Sequence, residues 1–365
     1  MLDHTYTDHV GDESRIDLRN DLQLQKVMIY FRGWLGTPRF RYTLYVWTAN
    51  TSQGLGAQVV SAGNLTYHAS DLFEIAVGIA GLPTTRSVRG QWPGWLKVDN
   101  RTIADEYFRG SYTTGVWASG TLVQGPVHGL HYKTMLGNNL SQLGIDAAQL
   151  NGGFDTSATA LWWTFRDFGV YGAFGDFEGH QRAALSLGSE FTRSNETRQN
   201  QPGQNAPENT QVRVSDGGGI FDEGSLAEGV TVQRALYRMW AVDGALKYRG
   251  FGVDAEYFMR WVTDLHANGP LPRDRLFDHG GQLQLSAMLV KQTLQAYGFG
   301  SLILGQYGKP FDAGGGLNYF PFHTRILRFN AELLYAYHSP VGYLAYPIPV
   351  GATGPTFMAN VEMMF

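Results

Sequence analysis

Apolar and polar residues trade places at every second position of this sequence, in stretches of roughly ten that recur from the first fifty positions to the last ten. The final stretch, FMANVEMMF, sets Phe357, Ala359, Val361, Met363 and Phe365 against Met358, Asn360, Glu362 and Met364. A period of two belongs to a strand, whose successive side chains face opposite sides, so each stretch has one oily and one hydrophilic flank. In RFRYTLYVWTA the oily flank is Phe40, Tyr42, Leu44 and Val46; in GQLQLSAML it is Leu283, Leu285, Ala287 and Leu289. ILRFNAELLYAYH places Leu327, Phe329, Ala331, Leu333, Tyr335 and Tyr337 opposite Arg328, Asn330, Glu332 and His338.

A soluble sandwich also alternates, but hides its oily flanks in cores of about 100 residues. Here the pattern persists through all 365 positions. No run of about 18 apolar residues occurs, which excludes helical spans. Only helices and closed barrels satisfy every backbone polar group in lipid. The sequence therefore predicts an all-β fold, an up-and-down antiparallel transmembrane β-barrel, with residues 1–365 forming one domain. The 46 glycines and 16% charged residues fit that class. Tyr335, Tyr337, Trp261, Trp163 and Trp47 are expected in aromatic girdles at the membrane interfaces.

Connections support the same topology. Short ones fall near 36–38, 70–72, 124–129, 249–252, 291–293 and 322–325, and long ones near 83–111, 138–157, 195–231, 263–280 and 339–355. Their alternation is that of a barrel with tight inner turns and long outer loops, 195–231 being a long extracellular loop. Fifteen strands follow from this count. Bacterial barrels of one chain have even numbers, so sixteen are expected, the first missing or poorly represented by residues 1–20. The opening MLDHTYTDHV shows no basic region followed by an apolar one, so a signal peptide is expected to be absent from this chain.

A net charge of −4 and pI near 6.2 give no nucleic-acid signature. With no cysteine and scattered histidines, neither haem attachment nor a metal centre is expected, and no cofactor. The segment SDGGGIFDEG, Ser215 to Gly224, lacks the ligand order of a calcium loop and reads as a solvated outer loop. His131 and His338 read as polar lumen residues. His4, Asp8 and His9 near one end read as terminal residues rather than a catalytic group.

Several stretches, IADEYFRGSYTTGVWASG, YKTMLGNN, GAFGDFEGHQRAALSLGSEFTRSNETR, GALKYRGFGVDAEYFMRW and GGGLNYFPFHTRILRFNAELLYAY, resemble the phosphate-selective porin O and P family of Gram-negative outer membranes. That resemblance implies a sixteen-stranded barrel, often a homotrimer, embedded in outer-membrane lipid, and identifies 83–111 as a loop that folds inward and constricts the pore. It matches no anion-binding positions residue by residue.

The loop itself carries Arg86, Arg89, Lys97, Arg101 and Arg109 against Asp99, Asp105 and Glu106. Arg41, Lys133, Arg182, Arg260 and Arg328 fall on polar strand faces, as do acids including Glu190, Asp243, Asp254 and Glu332. A pore selects by the sign of the charge at its constriction. The excess of basic residues predicts a channel for small polar solutes with a weak preference for anions such as phosphate. Against it stands the reading that these charges bridge neighbouring strands. The alternatives by function are a barrel enzyme of protease or lipase type, for which no Ser, His and acid set stands out, and a structural sleeve for a partner protein.

Overall fold

The computed structural model describes residues 3–10, 13–19, 27–48, 59–89, 94–98, 101–141, 153–169, 173–198, 212–342 and 348–364; side chains before residue 27 and at 47, 48, 59 and 60 are not described. Seventeen strands belong to one sheet. They are β1 (Asp3–Val10), β2 (Glu13–Arg19), β3 (Met28–Leu35), β4 (Thr37–Thr48), β5 (Val59–Ser70), β6 (Phe73–Gly81), β7 (Tyr112–Gln124), β8 (His128–Gly137) and β9 (Thr156–Phe165). There follow β10 (Ala184–Thr197), β11 (Val232–Tyr248), β12 (Phe251–Ala267), β13 (Leu276–Val290), β14 (Leu294–Leu304), β15 (Phe311–Tyr319), β16 (Leu327–Tyr337) and β17 (Gly354–Met363). From β3 to β17 each strand pairs antiparallel with the next. β1 pairs with β2, and meets β17 through Asp3–Phe357 and His4–Thr356.

The fifteen strands counted from sequence are β3 to β17. Ahead of them, where one further strand was expected, the described residues form a hairpin of two, Asp3–Val10 and Glu13–Arg19. The tight end is built by turn residues that accept a left-handed backbone. Between β11 and β12 the turn is Arg249–Gly250, both with positive φ (50° and 86°), the twist that suits a two-residue hairpin.

Burial runs opposite to that of a soluble protein. On β13, Leu283 and Leu285 are each 46% exposed, whereas Gln282 and Gln284 are 7% exposed. β16 repeats this, with Leu333 exposed and Arg328, Asn330 and Glu332 buried. The oily flank faces outward, the hydrophilic flank inward, and the exposed wall matches a lipid solvent. Outward rings cluster at both rims. Trp261–Phe277 and Phe311–Tyr337 lie toward the long-loop end, and His128–Trp163 and Tyr319–Phe329 toward the tight-turn end. Of the girdle residues expected from sequence, Trp47 has its side chain outside the described residues.

Candidate functional site

The interior is shaped by the connection from Leu82 to Ser111, between β6 and β7, which packs against the inward faces of β10 to β17. It holds two short helices, α1 (Arg86–Arg89) and α2 (Ile103–Phe108). Thr102 caps α2, its hydroxyl accepting from the Asp105 amide (3.3 Å) and donating to Gln282 Oε1 (2.8 Å). The next two amides, Ile103 and Ala104, donate to Asp312 Oδ2 and Ser301 Oγ, each at 3.1 Å. Barrel-wall side chains thus supply acceptors that a free helix end lacks. Phe108 stacks on Phe258 at 5.1 Å, and its carbonyl accepts from the Tyr237 hydroxyl at 2.6 Å.

Ion pairs complete the attachment. Arg86 Nη2 meets Asp254 Oδ1 at 2.5 Å, and its amide donates to Glu256 Oε1 at 2.9 Å. Arg89 lies between Glu190, 2.7 Å away, and Asp243. Lys97 Nζ sits 3.3 Å from Glu332 Oε1 and 3.7 Å from the centre of the Phe299 ring. From the wall, Arg328 Nη1 donates to the Trp95 carbonyl at 2.8 Å while its Nε holds Glu362 at 2.6 Å. Arg260 pairs with Asp278 at 2.5 Å beside Tyr107. Inside the loop, Glu106 draws in Arg101 (3.6 Å) and Arg109 (2.5 Å). Burial pushes the Asp105 carboxyl above its ordinary range, against the pull of Arg101 and a hydrogen bond from Ser87.

Two more segments fill this side of the interior. From the tight-turn end, the connection 166–183 inserts Phe168, Phe174 and Phe177; Phe174 N donates to the Gly94 carbonyl (2.7 Å) and Gly175 N to Asp254 Oδ2 (3.1 Å). From the long-loop end, Val212, Val214, Ile220 and Phe221 are buried, and Arg260 donates to the Arg213 carbonyl at 2.7 Å. SDGGGIFDEG is therefore partly packed into the barrel mouth, unlike the wholly solvated loop expected. Gly314 and Gly316 face inward, where a Cβ would press on the rings of Phe299 and Tyr297, so these glycines make room for aromatic rings under the loop.

Bordering this filled side lies a cavity of about 600 Å³. Arg86, Arg89, His131, Trp162 and Arg166 line it, together with the 124–129 turn, so it stands at the tight-turn end. His131 bridges Thr121 Oγ1 (3.0 Å) and Thr164 Oγ1 (3.3 Å) and stacks on Trp162, whose ring also carries the Arg89 guanidinium at 5.0 Å. Lys133, two residues along β8, directs Nζ toward the Gly81 carbonyl at 3.4 Å.

The structure thus gathers Arg86, Arg89, Lys97, Arg101 and Arg109 in one inward loop and seats Arg260 and Arg328 on the wall that holds it. Arg41 stands apart on β4, exposed, with its Nε on the Pro38 carbonyl (3.2 Å), and Arg182 is exposed just before β10. The expected excess of interior positive charge is largely matched, because most of these cations face a carboxylate. Pairing across the barrel was invisible in sequence; what was visible was only that Glu190, Asp243, Asp254 and Glu332 share the inward flank. His131 is a lumen residue as expected, whereas His338 is exposed beside the long-loop rim.

Among the described residues Asp176, Glu178 and His180 stand close enough to share an ion, a grouping that the sequence reading did not single out. Asp176 is already committed, since it accepts from the amides of Gly179 (3.1 Å), His180 and Gly250 (2.7 Å) and pairs with the His180 ring. Burial works against its charge, yet these hydrogen bonds hold the carboxyl below its ordinary range.

No protein-family model matches the chain, and no curated protein matches its sequence. Solved structures do match its fold. An anion-selective porin from Comamonas acidovorans aligns with TM-score 0.54 at 8% identity, over 99% of this chain and 97% of that one. OmpT, an outer membrane protein of Vibrio cholerae, aligns in its trimer form with TM-score 0.51 at 12% identity, over 98% and 96%. These likenesses establish an outer-membrane-type β-barrel fold.

Proposed function

We propose that the protein is a porin of a Gram-negative outer membrane, forming a water-filled channel through which small polar solutes diffuse, with a weak preference for anions such as phosphate. One observation carries the reading: a lipid-facing barrel wall encloses an inward loop that leaves open space beside it, and arginines edge that space. In this reading 83–111 is the constriction, with Arg86, Arg89, Lys97, Arg101 and Arg109 setting its charge and Lys133 facing it from β8. Arg260 and Arg328 anchor the loop rather than meet solute. The carboxylates paired with these cations keep the preference modest, since a passing anion meets fields already half cancelled. The reading includes a homotrimer, which the trimer form of the structurally similar OmpT of Vibrio cholerae supports.

Reconstitution into planar bilayers tests it. Discrete conductance steps are expected in potassium chloride, with a reversal potential in a salt gradient on the anion side and closer to zero at high salt, where screening weakens the field. Inserted protein that never conducts would overturn the channel, and a cation-side reversal potential the anion preference.

A further inference from the structure

The cavity at the tight-turn end contains one cation unlike the rest. Arg166 sits where β9 ends, with φ 63°, a conformation rare for so long a side chain. Its amide donates to the Val127 carbonyl (2.6 Å) and Nη1 to the Ala183 carbonyl (2.8 Å), while the guanidinium lies 4.6 Å from the centre of the Phe165 ring. Among the described residues it forms no ion pair. The one acid lining the cavity, Asp167, is exposed, and its Oδ1 accepts from the Gly169 amide at 2.9 Å.

Arg86 and Arg89 border the same space. Each directs Nη2 at a wall carboxylate that is not part of the lining, Asp254 for Arg86 and Asp243 for Arg89. The carboxylates stand behind the arginines and fix their positions. Thr164 and Ser186 complete the lining with hydroxyls. Planar guanidinium forks match the oxygens of carboxylate and phosphate groups, and a volume of about 600 Å³ lies within the range of small-molecule sites.

We propose that this cavity is an oxyanion subsite, in which Arg166, with the cavity edges of Arg86 and Arg89, receives the carboxylate or phosphate group of a free solute on the tight-turn side of the constriction. The inference rests on the porin reading and deepens it by naming where, and on which chemical group, the solute is held. Glu190 and Asp243 offset Arg89, so occupancy is weak and brief, as conduction requires: a site must bind well enough to fill and loosely enough to empty. Arg166, free of such an offset, contributes the decisive charge.

The test uses the full chain with inorganic phosphate as probe. In bilayers of phosphate-free lipid, phosphate is expected to reduce the chloride current to a saturating level. Titration calorimetry on the detergent-solubilised chain is expected to show binding of similar strength. Arg166→Gln should weaken both by about tenfold, the scale of one charged hydrogen bond. Arg273→Gln, in an exposed outer connection, should weaken neither. Linear currents with no calorimetric binding, or an Arg166→Gln protein that titrates like the original, would overturn the subsite. So would an Arg166-dependent change seen only when phospholipid replaces phosphate-free lipid, since the site would then hold a headgroup. Phosphate binding in detergent without any conductance would sink the porin reading and leave the subsite standing, whereas conductance without phosphate binding does the reverse.

Discussion

Lys97 shows how a single residue secures the loop. Its ammonium and the Glu332 carboxylate are each 1% exposed, so neither charge has water to fall back on. Taking away one partner of a buried pair strands the other, a loss of about 3–5 kcal/mol. Glu332→Ala is accordingly expected to lower the urea midpoint of the folded barrel and to expose the loop to protease, while adding Lys97→Met to it, which removes the stranded charge, recovers much of that loss. Asp176 gives a pH-dependent counterpart outside the strands. Its folded carboxyl lies below the ordinary value, so its contribution is complete above a pH of about 4 and fades as pH falls through the folded value. Asp176→Asn should cost about 1–3 kcal/mol in denaturant titrations at pH 7, and the gap to the parent should close on acidification below that range. At this scale the sequence revealed inward charge but not its pairing, because Arg89 meets Glu190 and Asp243 only after the loop folds back across the barrel.

Strands were the most legible elements, since lipid on one side and enclosed groups on the other enforce the period of two. Their outer ends were not. The connection after β12 was expected near 263–280, yet β12 runs on to Ala267 and β13 already begins at Leu276. Beyond the bilayer the outward flank no longer has to be oily: Arg234 and Arg238 break the alternation, while pairing with β12 continues through a register shift on either side of Arg234. The N-terminal hairpin was obscured in the same way, its sequence being polar on both flanks. The lipid-facing flank makes a direct prediction: Leu333→Arg, at the middle of β16 and 57% exposed, should cost about 2–4 kcal/mol when refolding into vesicles is titrated with urea. Arg238→Leu, near the outer end, should change it by a few tenths of that at most. A soluble fold would reverse the order, since an exposed leucine is replaced by arginine at little cost in water.

The whole molecule is divided lengthwise. Toward β10–β17 the lumen is occupied by the described residues of the β6–β7 connection, by those of 166–183 from one end and by 212–231 from the other; Gln284, Asn318 and Asn330 lie buried beneath them. Along β3–β5 part of the inward flank stays accessible: Tyr30 is 40% exposed, Arg32 is exposed, and Thr43, Asn64 and Thr66 are half-buried, whereas Tyr45 and Ala62 between them are buried. Open space beside the loop is what a permeating ion needs, so current should follow the first half of the sheet. Thr43→Trp, which places an indole on that flank, is expected to lower single-channel conductance with little effect on stability. Asn330 instead donates to the Tyr297 hydroxyl (2.8 Å) and Asn318 Oδ1 (2.9 Å) in the packed half. Asn330→Ala should cost about 1–3 kcal/mol of stability through those lost hydrogen bonds while leaving conductance near the parent value. Recording both variants in one lipid and salt separates the halves; a conductance drop in the second without one in the first would place the ion path on the packed side and refute this division of the lumen.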